Sequence, residues 1–268
     1  MNITFLGSGN IARAIINGLL ANGMPASQIT AADPFQTALE ETVKLGVNTT
    51  NDNRAAVSES DVVILSVKPN VVADLAIEIA GDIGERLVIS VAAGITSASL
   101  LDWLGDDKHI IRCMPNTPAQ IQSGITGLYA TAAINEHEKN IAGQILGAVG
   151  EFIWVNDESE LHAVTAVSGS GPAYFFYVIE AMEKAAIRLG LSSDIARKLV
   201  LETAVGTTKM ALTQTNKTPE QLRREVTSPG GTTEAAIKTL QEGDLTGLFD
   251  RAIASANDRS IELAGNAS

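Results

Sequence analysis

The sequence predicts a two-part α/β protein, with an N-terminal Rossmann-type doubly wound sheet followed by an all-α C-terminal dimerisation domain. Three observations lead to this fold class. Short apolar runs alternate with helical patterns through the first half, and a glycine-rich turn follows the first run. From about Leu161 onward, only long helical periods remain. We therefore predict a sheet domain over residues 1–160 and a helical domain over residues 161–268.

The strand candidates of the first half are continuously apolar, as expected where helices cover a parallel sheet on both faces. They are Asn2–Leu6, Ile29–Ala32, Val47–Thr49, Val62–Val67, Leu87–Val91 and Ile110–Met114, with two more near Thr126–Tyr129 and Glu151–Val155. The helices predicted between them are Ile11–Asn22, Pro34–Leu45, Ala73–Ile83 and Ser97–Trp103. Repeated alternation of this kind predicts a doubly wound parallel sheet.

The second half has few β-branched runs and is predicted to be helical throughout. Pro172 and Pro219 stand where the first turn of a helix tolerates a missing N–H. Gly190 and Gly243 stand where helices end. The predicted helices are Pro172–Leu189, Asp194–Thr213, Pro219–Val226, Thr232–Glu242 and Leu245–Leu263.

The helix that starts at Pro172 is apolar around most of its circumference over its first three turns. A small helical bundle has too little core to bury such a surface, so the helix belongs in a bundle centre or a subunit interface. We favour an obligate homodimer built on the helical half. The alternative is a central core helix of a monomer.

Composition and charge exclude several classes of protein. The net charge of -12 disfavours binding to nucleic acid or to an anionic membrane surface. No run of about 18 apolar residues is present to span a bilayer, and the first residues lack the pattern of a signal peptide. Cys113 is the single cysteine and can form no internal disulfide. These features favour a cytoplasmic protein.

A glycine-rich turn joins the first predicted strand to the first predicted helix. Gly7, Gly9 and Ala12 have the spacing of a dinucleotide-binding fingerprint, in the required strand–turn–helix setting. Gly7 allows the tight turn, Gly9 lets the backbone approach a pyrophosphate, and Ala12 lets the helix lie close to the sheet. The amides of Asn10 and Ile11 then face the phosphates. The alternative is a glycine turn without a ligand.

The nicotinamide form stays open at this point. Asp33 ends the second strand, where an acidic side chain accepts a hydrogen bond from a ribose 2′-hydroxyl and so favours NAD. It is equally suited to the turn before Pro34. Arg54, in the loop after the third strand, is a candidate partner for a 2′-phosphate or a solvated surface arginine.

Two further segments end predicted strands at the carboxyl edge of the sheet, where open α/β folds bind their ligands. Their small residues leave room for a ribose and a nicotinamide, and Lys68 is either a contact or a capping and surface residue. We predict that these segments bind the coenzyme: Ser66, Val67, Lys68 and Pro69, which close the fourth strand, and Ala92, Ala93 and Gly94, which close the fifth.

Three other loops are unlike ordinary linkers. Asn116 lies between two prolines, which predicts a rigid loop with polar groups held in fixed directions. Residues 168–171 introduce the apolar helix. Residues 227–233 introduce another helix, with glycines that expose amide groups suited to a small carboxylate. A capped helix start is the alternative for each loop.

The chain resembles the pyrroline-5-carboxylate reductases. The resemblance covers essentially the full length and rests on five segments in order, FLGSGNIARAI, SVKP, MPNTPA, VSGSGPAY and TSPGGTTEAAI. It implies a Rossmann domain and a helical domain that interlocks two subunits, with one subunit's coenzyme facing the other's helical loops. It also implies NADP(H) as the favoured coenzyme with NAD(H) as the alternative, and assembly of some members into decamers.

The resemblance also assigns site residues. Asn53 matches a position that contacts the coenzyme ribose, and Asn116 belongs to the substrate site. Thr233 would be the catalytic residue, hydrogen-bonded to the ring nitrogen. The substrate carboxylate and ring would be held by Ser228, Gly230, Gly231, Thr232 and Thr233.

The implied reaction is hydride transfer from a reduced nicotinamide to the imine carbon of 1-pyrroline-5-carboxylate, giving proline in the last step of its biosynthesis. No Cys/His cluster is present, so no metal is expected. One alternative is another imine or β-hydroxyacid reductase, many of which carry an acid/base lysine on the long helix, where this chain has Lys184 three turns in. The other is a non-catalytic NAD(P)-sensing protein, which would bind coenzyme without oxidising it.

Overall fold

The computed structural model describes residues 1–265, and these form two compact units. Unit 1 comprises Met1–Ser170 together with the segment from Ser255 onward, and unit 2 comprises Gly171–Ala254. The predicted boundary after residue 160 falls earlier than the division between the units. Residues 266–268 of the predicted helical domain lie outside the described part of the chain.

Unit 1 is built on an eight-stranded sheet in the order β3-β2-β1-β4-β5-β6-β7-β8. Every neighbouring pair from β3 to β6 is parallel, which confirms the Rossmann-type sheet. β7 then pairs antiparallel with β6 and parallel with β8. The strands are β1 Ile3–Leu6, β2 Ile29–Ala32, β3 Asn48–Thr50, β4 Val62–Leu65, β5 Leu87–Ser90, β6 Ile110–Met114, β7 Gly124–Ala130 and β8 Gly150–Trp154.

Helices cover both faces of this sheet. Side chains of β4 show why, because alternate residues of a strand point to opposite faces. Ile64 lies in one apolar cluster with Ile15 of α1, whereas Leu65 lies in the other with Ile79 of α4. The helices of this part are α1 Asn10–Ala21, α2 Gln36–Val43, α3 Asn53–Ser58, α4 Pro69–Ile83, α5 Ser97–Leu104, α6 Glu136–Gly147 and α7 Glu160–Val164.

Three of these helices, α3, α6 and α7, lie outside the predicted helix ranges. α6 opens with a capping box, in which the Asn135 side chain accepts from the Glu138 amide and the Glu138 side chain accepts from the Asn135 amide. This reciprocal pair stabilises a helix start and has a recognisable spacing. α4 begins at Pro69 and not at Ala73, because proline fits the first helical position.

Unit 2 is helical, as predicted. Its helices are α8 Gly171–Arg188, α9 Ser193–Thr213, α10 Pro219–Glu225, α11 Thr232–Glu242 and the first part of α12 Leu245–Gly265, whose last residues belong to unit 1. α8 packs against α9. No helix within residues 1–265 is both long enough and apolar enough to cross a membrane.

Large apolar side chains stand exposed on α8. The exposed fractions of Phe175, Phe176 and Tyr177 are 70%, 67% and 72%. An apolar patch of this size on a single chain is typical of an association surface.

Candidate active site

The turn between β1 and α1 requires glycine at its first position. Gly7 has φ +98°, and a Cβ there would lie 2.8 Å from the carbonyl carbon of Ser66. The Ser66 hydroxyl donates to the carbonyl oxygens of Leu6 and Gly7, at 3.0 and 2.9 Å. The ends of β1 and β4 are therefore joined directly beneath the turn.

The start of α1 is open to a ligand. Gly9 is its N-cap, no side chain caps it, and a Cβ at Gly9 would meet nothing within 4 Å. Asn10 and Ile11 begin the helix, and the first amides of a helix have no intrahelical acceptor. Ala12 is fully buried against the sheet. This geometry fits a bound pyrophosphate.

Arg13 lies against the glycine-rich turn and is not among the predicted site residues. Its guanidinium donates to the Ser8 carbonyl oxygen and to Oδ1 of Asn10, both at 2.7 Å. A positive charge therefore lies against the open turn of α1. The only signal in the sequence is its position directly after the fingerprint.

Asp33 lies at the end of β2 and is nearly buried. Its carboxylate accepts the Ser8 amide at 3.1 Å and the Phe35 amide at 3.0 Å. The carboxylate thus orders the glycine-rich turn as well as its own turn before α2. The bond to Phe35 shows the turn role that the sequence proposes for Asp33, whereas any contact with a ribose stays a prediction.

Asn53 and Arg54 occupy the start of α3 and not a loop. The Asn53 amide nitrogen donates to both carboxylate oxygens of Glu78, at 3.3 and 3.2 Å. The Arg54 guanidinium pairs with Asp82 at 2.6 Å. The pKa of Arg54 is raised, first by this hydrogen bond and then by the charge of Asp82. Arg54 therefore already has an anionic partner.

The other predicted coenzyme residues follow β4, which is a neighbour of β1, and β5, which pairs with β4. Lys68 is the N-cap of α4 and Pro69 is its first residue, and no side chain caps the start of this helix. Ala92, Ala93 and Gly94 lie between β5 and α5. Since β3, β2, β1, β4 and β5 are adjacent and parallel, all the predicted coenzyme residues lie at one edge of the sheet.

Asn116 joins two of the predicted loops. Its amide nitrogen donates to the Ser168 carbonyl oxygen at 3.3 Å, and its Oδ1 accepts the Ile125 amide at 3.0 Å. Ser168 lies in a π-helical turn, Thr165–Gly169, and its hydroxyl is buried without a hydrogen-bond partner. Such turns are frequent at functional sites. Asn116 therefore has a structural role here, and its contact with substrate stays a prediction.

A partly buried charge network is centred on Arg112, the middle residue of β6. Arg112 donates to Glu158 at 2.6 Å, and Glu158 also accepts the amide and hydroxyl of Ser97 at 2.6 and 2.7 Å. Burial alone would raise the pKa of Glu158, but these hydrogen bonds outweigh it and hold the pKa below its ordinary value. His162 forms a 2.9 Å hydrogen bond with Ser260. Nothing in the sequence pattern indicates this network.

The second glycine-rich segment introduces α11 in unit 2. Gly230 has φ +72°, and its amide donates to Glu234 at 2.7 Å, while the Gly231 amide donates to the Ser228 carbonyl oxygen at 3.0 Å. Gly231 is the N-cap of α11, and no side chain caps it. The open amides are therefore those of Thr232, Thr233 and Glu234, whereas the amides of the two glycines already have acceptors.

Cys113 lies in β6, near the carboxyl end of that strand, but it is not a reactive thiol. Burial raises its pKa to about 12, against a small opposing effect of Arg112. Among residues 1–265, no three His, Cys, Asp or Glu side chains lie close enough together to hold a metal ion.

Comparison with known proteins gives two family matches. Residues 158–263 match the family described as pyrroline-5-carboxylate reductase dimerisation, and residues 2–94 match the family described as NADP oxidoreductase coenzyme F420-dependent.

Individual relatives align over nearly the whole chain. The Pseudomonas aeruginosa pyrroline-5-carboxylate reductase is 46% identical over 98% of this chain and 96% of its own length. The Coxiella burnetii structure of that name is 43% identical, covers 98% of both chains and has a TM-score of 0.93. A Plasmodium falciparum pyrroline carboxylate reductase with NADP bound shares the fold, with TM-score 0.88, 24% identity and 98% of both chains covered. The protein therefore belongs to the pyrroline-5-carboxylate reductase family, as its sequence motifs predict.

Proposed function

We propose that this protein reduces 1-pyrroline-5-carboxylate to L-proline with NAD(P)H, the last step of proline biosynthesis. Family membership supports the substrate class. The observation that carries the proposal is the uncapped, glycine-opened start of α11, where the amides of Thr232 and Thr233 are left for a small carboxylate. A protein that only senses NAD(P) has no need for such a site.

The coenzyme site we propose is the edge of the sheet that begins at Gly7. The open amides of Asn10 and Ile11 and the charge of Arg13 would hold the pyrophosphate. Ser66–Pro69 and Ala92–Gly94 would line the ribose and nicotinamide. When bound there, the reduced nicotinamide supplies the hydride for the reaction.

In the substrate site, Ser228, Gly230, Gly231 and the start of α11 would fix the carboxylate and present one ring face for reduction. The Thr233 hydroxyl would hydrogen-bond the ring nitrogen. As the imine carbon gains hydride, the electron pair of the C=N π bond moves to nitrogen, which takes a proton that comes ultimately from water. Thr233 therefore orients and polarises the imine and needs no strong acid beside it.

We propose NADP(H) as the favoured coenzyme, with NAD(H) also accepted. The NADP-bound relative from Plasmodium falciparum supports the first choice. The nearly buried carboxylate of Asp33 lies at the end of β2 and would repel a 2′-phosphate placed there, which supports the second.

We further propose that the protein works as a cytoplasmic homodimer joined through the C-terminal helices, or as a higher oligomer of such dimers. The exposed apolar side chains of α8 and the match to a dimerisation family support this assembly. Burial of a few aromatic side chains contributes several kcal/mol to association, at about 1.5–3 kcal/mol each.

An absorbance assay tests the proposal. NADPH and NADH oxidation would be followed with 1-pyrroline-5-carboxylate and with its six-membered homologue, and we expect turnover of the five-membered ring with both coenzymes. Turnover of the larger ring alone would indicate a different imine reductase. Coenzyme binding without oxidation by either imine would contradict the assignment and favour a sensor.

A further inference from the structure

The loop between β5 and α5 carries Ala92, Ala93 and Gly94, and the structure restrains it at both ends. At its start, the Val91 amide donates to the Leu65 carbonyl oxygen of β4 at 3.1 Å. At its end, Ser97 is the first residue of α5, and both its amide and its hydroxyl donate to Glu158. The position of this short loop therefore depends on where Glu158 lies.

Glu158 is in turn held by Arg112 of β6. The side chains of Arg112 and Glu158 are only 8% and 24% exposed. A buried guanidinium has a large desolvation cost, so removing the carboxylate would leave an uncompensated charge. The carboxylate also lies at the N-terminus of α5, where the helix dipole favours a negative charge. The network thus fixes α5 against β6 through one carboxylate.

A second support lies on the other side of the loop. Gly94 has φ +78°, and a Cβ there would lie 3.5 Å from the main-chain carbon of Leu263 in α12. The same helix is fixed by the hydrogen bond between Ser260 and His162 of α7. The loop is therefore held by Glu158 at its end and has α12 against Gly94.

We propose that Arg112 and Glu158 are positioning residues for the coenzyme, which hold Ala92–Gly94 at the place where the nicotinamide ring binds. The inference rests on the proposed coenzyme site but not on the identity of the substrate. Neither side chain needs to touch the coenzyme. They act through Ser97, since a displacement of α5 would displace the loop that precedes it.

The chain offers a matched control on the same strand. His109 directly precedes β6 and pairs with the nearly buried Glu138 at 2.5 Å. This pair lies just before β6, whereas Arg112 is the middle residue of the strand and pairs with Glu158, which binds Ser97 after the predicted coenzyme loop. Glu138→Gln and Glu158→Gln are the same chemical change in two partly buried pairs.

The test compares coenzyme binding in the purified full-length variants. Dissociation constants for NADPH and NADH would be measured by coenzyme fluorescence without substrate, with melting temperatures recorded in parallel. We expect Glu158→Gln to weaken binding by about tenfold, because small displacements of a positioning loop have large effects. Glu138→Gln should lower the melting temperature without changing the dissociation constant.

A milder substitution keeps the test decisive if Glu158→Gln fails to fold. Ser97→Ala removes one hydroxyl donor to Glu158 and should weaken binding by about threefold. A dissociation constant within about twofold of wild type in Glu158→Gln, or in Ser97→Ala where Glu158→Gln does not fold, would overturn the inference. Equal weakening in Glu138→Gln would also overturn it, because the effect would then be one of general stability.

The binding data and the absorbance assay together separate this inference from the proposed reaction. A wild-type protein that binds coenzyme but reduces no imine refutes the reaction, while the Glu158→Gln comparison still decides the positioning role. A wild-type protein that binds neither NADPH nor NADH refutes the coenzyme site and the positioning role together.

Discussion

The two units differ in how far they bury their apolar side chains. In unit 1, Phe5, Ile64 and Ile89 are completely buried between the sheet and its helices. In unit 2, α10 and α11 bury no residue, and α9 buries only Ala196 and Val200. Unit 1 therefore has a core of its own, whereas unit 2 exposes the surface that a second chain would cover.

The largest expected effect follows from changing the exposed apolar side chains of unit 2. The double variant Phe175→Glu/Phe176→Glu places charge on the exposed apolar face of α8, and a buried unpaired charge strongly disfavours association. We expect a monomer in light scattering and a loss of turnover of about 100-fold or more. Ile77→Glu, on an exposed apolar position of α4 in unit 1, should change neither mass nor turnover. A double variant that stays dimeric would contradict the assignment of the interface.

The next effect tests whether unit 2 contributes to the reaction without contributing to coenzyme binding. Thr233→Ala removes the hydroxyl proposed to orient the imine, and turnover should fall by about 10- to 100-fold with little change in coenzyme KM. Thr239→Ala is the control, because its hydroxyl donates to the Ala235 carbonyl oxygen further along the same helix. Full activity in Thr233→Ala would exclude its catalytic role.

A smaller effect concerns unit 1 alone. Asp33→Ser removes the carboxylate at the end of β2, so the ratio of kcat/KM for NADPH to that for NADH should rise by about tenfold. Asp61→Ser lies at the opposite edge of the sheet, where its carboxylate accepts the Asn2 amide, and should leave the ratio unchanged. An unchanged ratio in Asp33→Ser would place the ribose away from β2.

The smallest effect is a pH dependence of stability in unit 1. Burial, and then the charge of Arg112, lower the pKa of His162. Because the unfolded chain binds this proton more readily, the stabilising contribution is complete above about pH 6.5 and is lost as the pH falls through the folded-state pKa. His162→Gln should therefore flatten the decrease in unfolding free energy between about pH 7 and about pH 5, measured by urea unfolding. Identical slopes in both proteins would refute this origin.

The sequence predicts the positions of the strands well, but it does not predict the direction of β7. Continuous apolar runs such as Val62–Leu65 identify strands covered on both faces, because few other elements have that pattern. The reversal at β7 leaves no such mark, since alternation along a strand carries no information on its direction. The helix α6 could have been predicted from the capping spacing of Asn135 and Glu138.

The candidate site also has parts that the sequence predicts and parts that it does not. The turn at Gly7 is local and is predicted from spacing alone. The network of Arg112, Glu158 and Ser97 is not, because it joins residues 46 and 61 positions apart through contacts that exist only in the folded chain. The bond between Gly230 and Glu234 is short in sequence, yet glycine spacing alone gives no indication that this amide is already used.

The path of α12 bears on how the protein is made. This helix begins in unit 2, and its last residues bring Ser260 and Leu263 to unit 1, beside His162 and Gly94. A ribosome synthesises the chain from its N-terminus, so these residues emerge only after helices α1–α11 have been synthesised. The strands of the sheet are synthesised well before the residues of α12 that lie against Gly94.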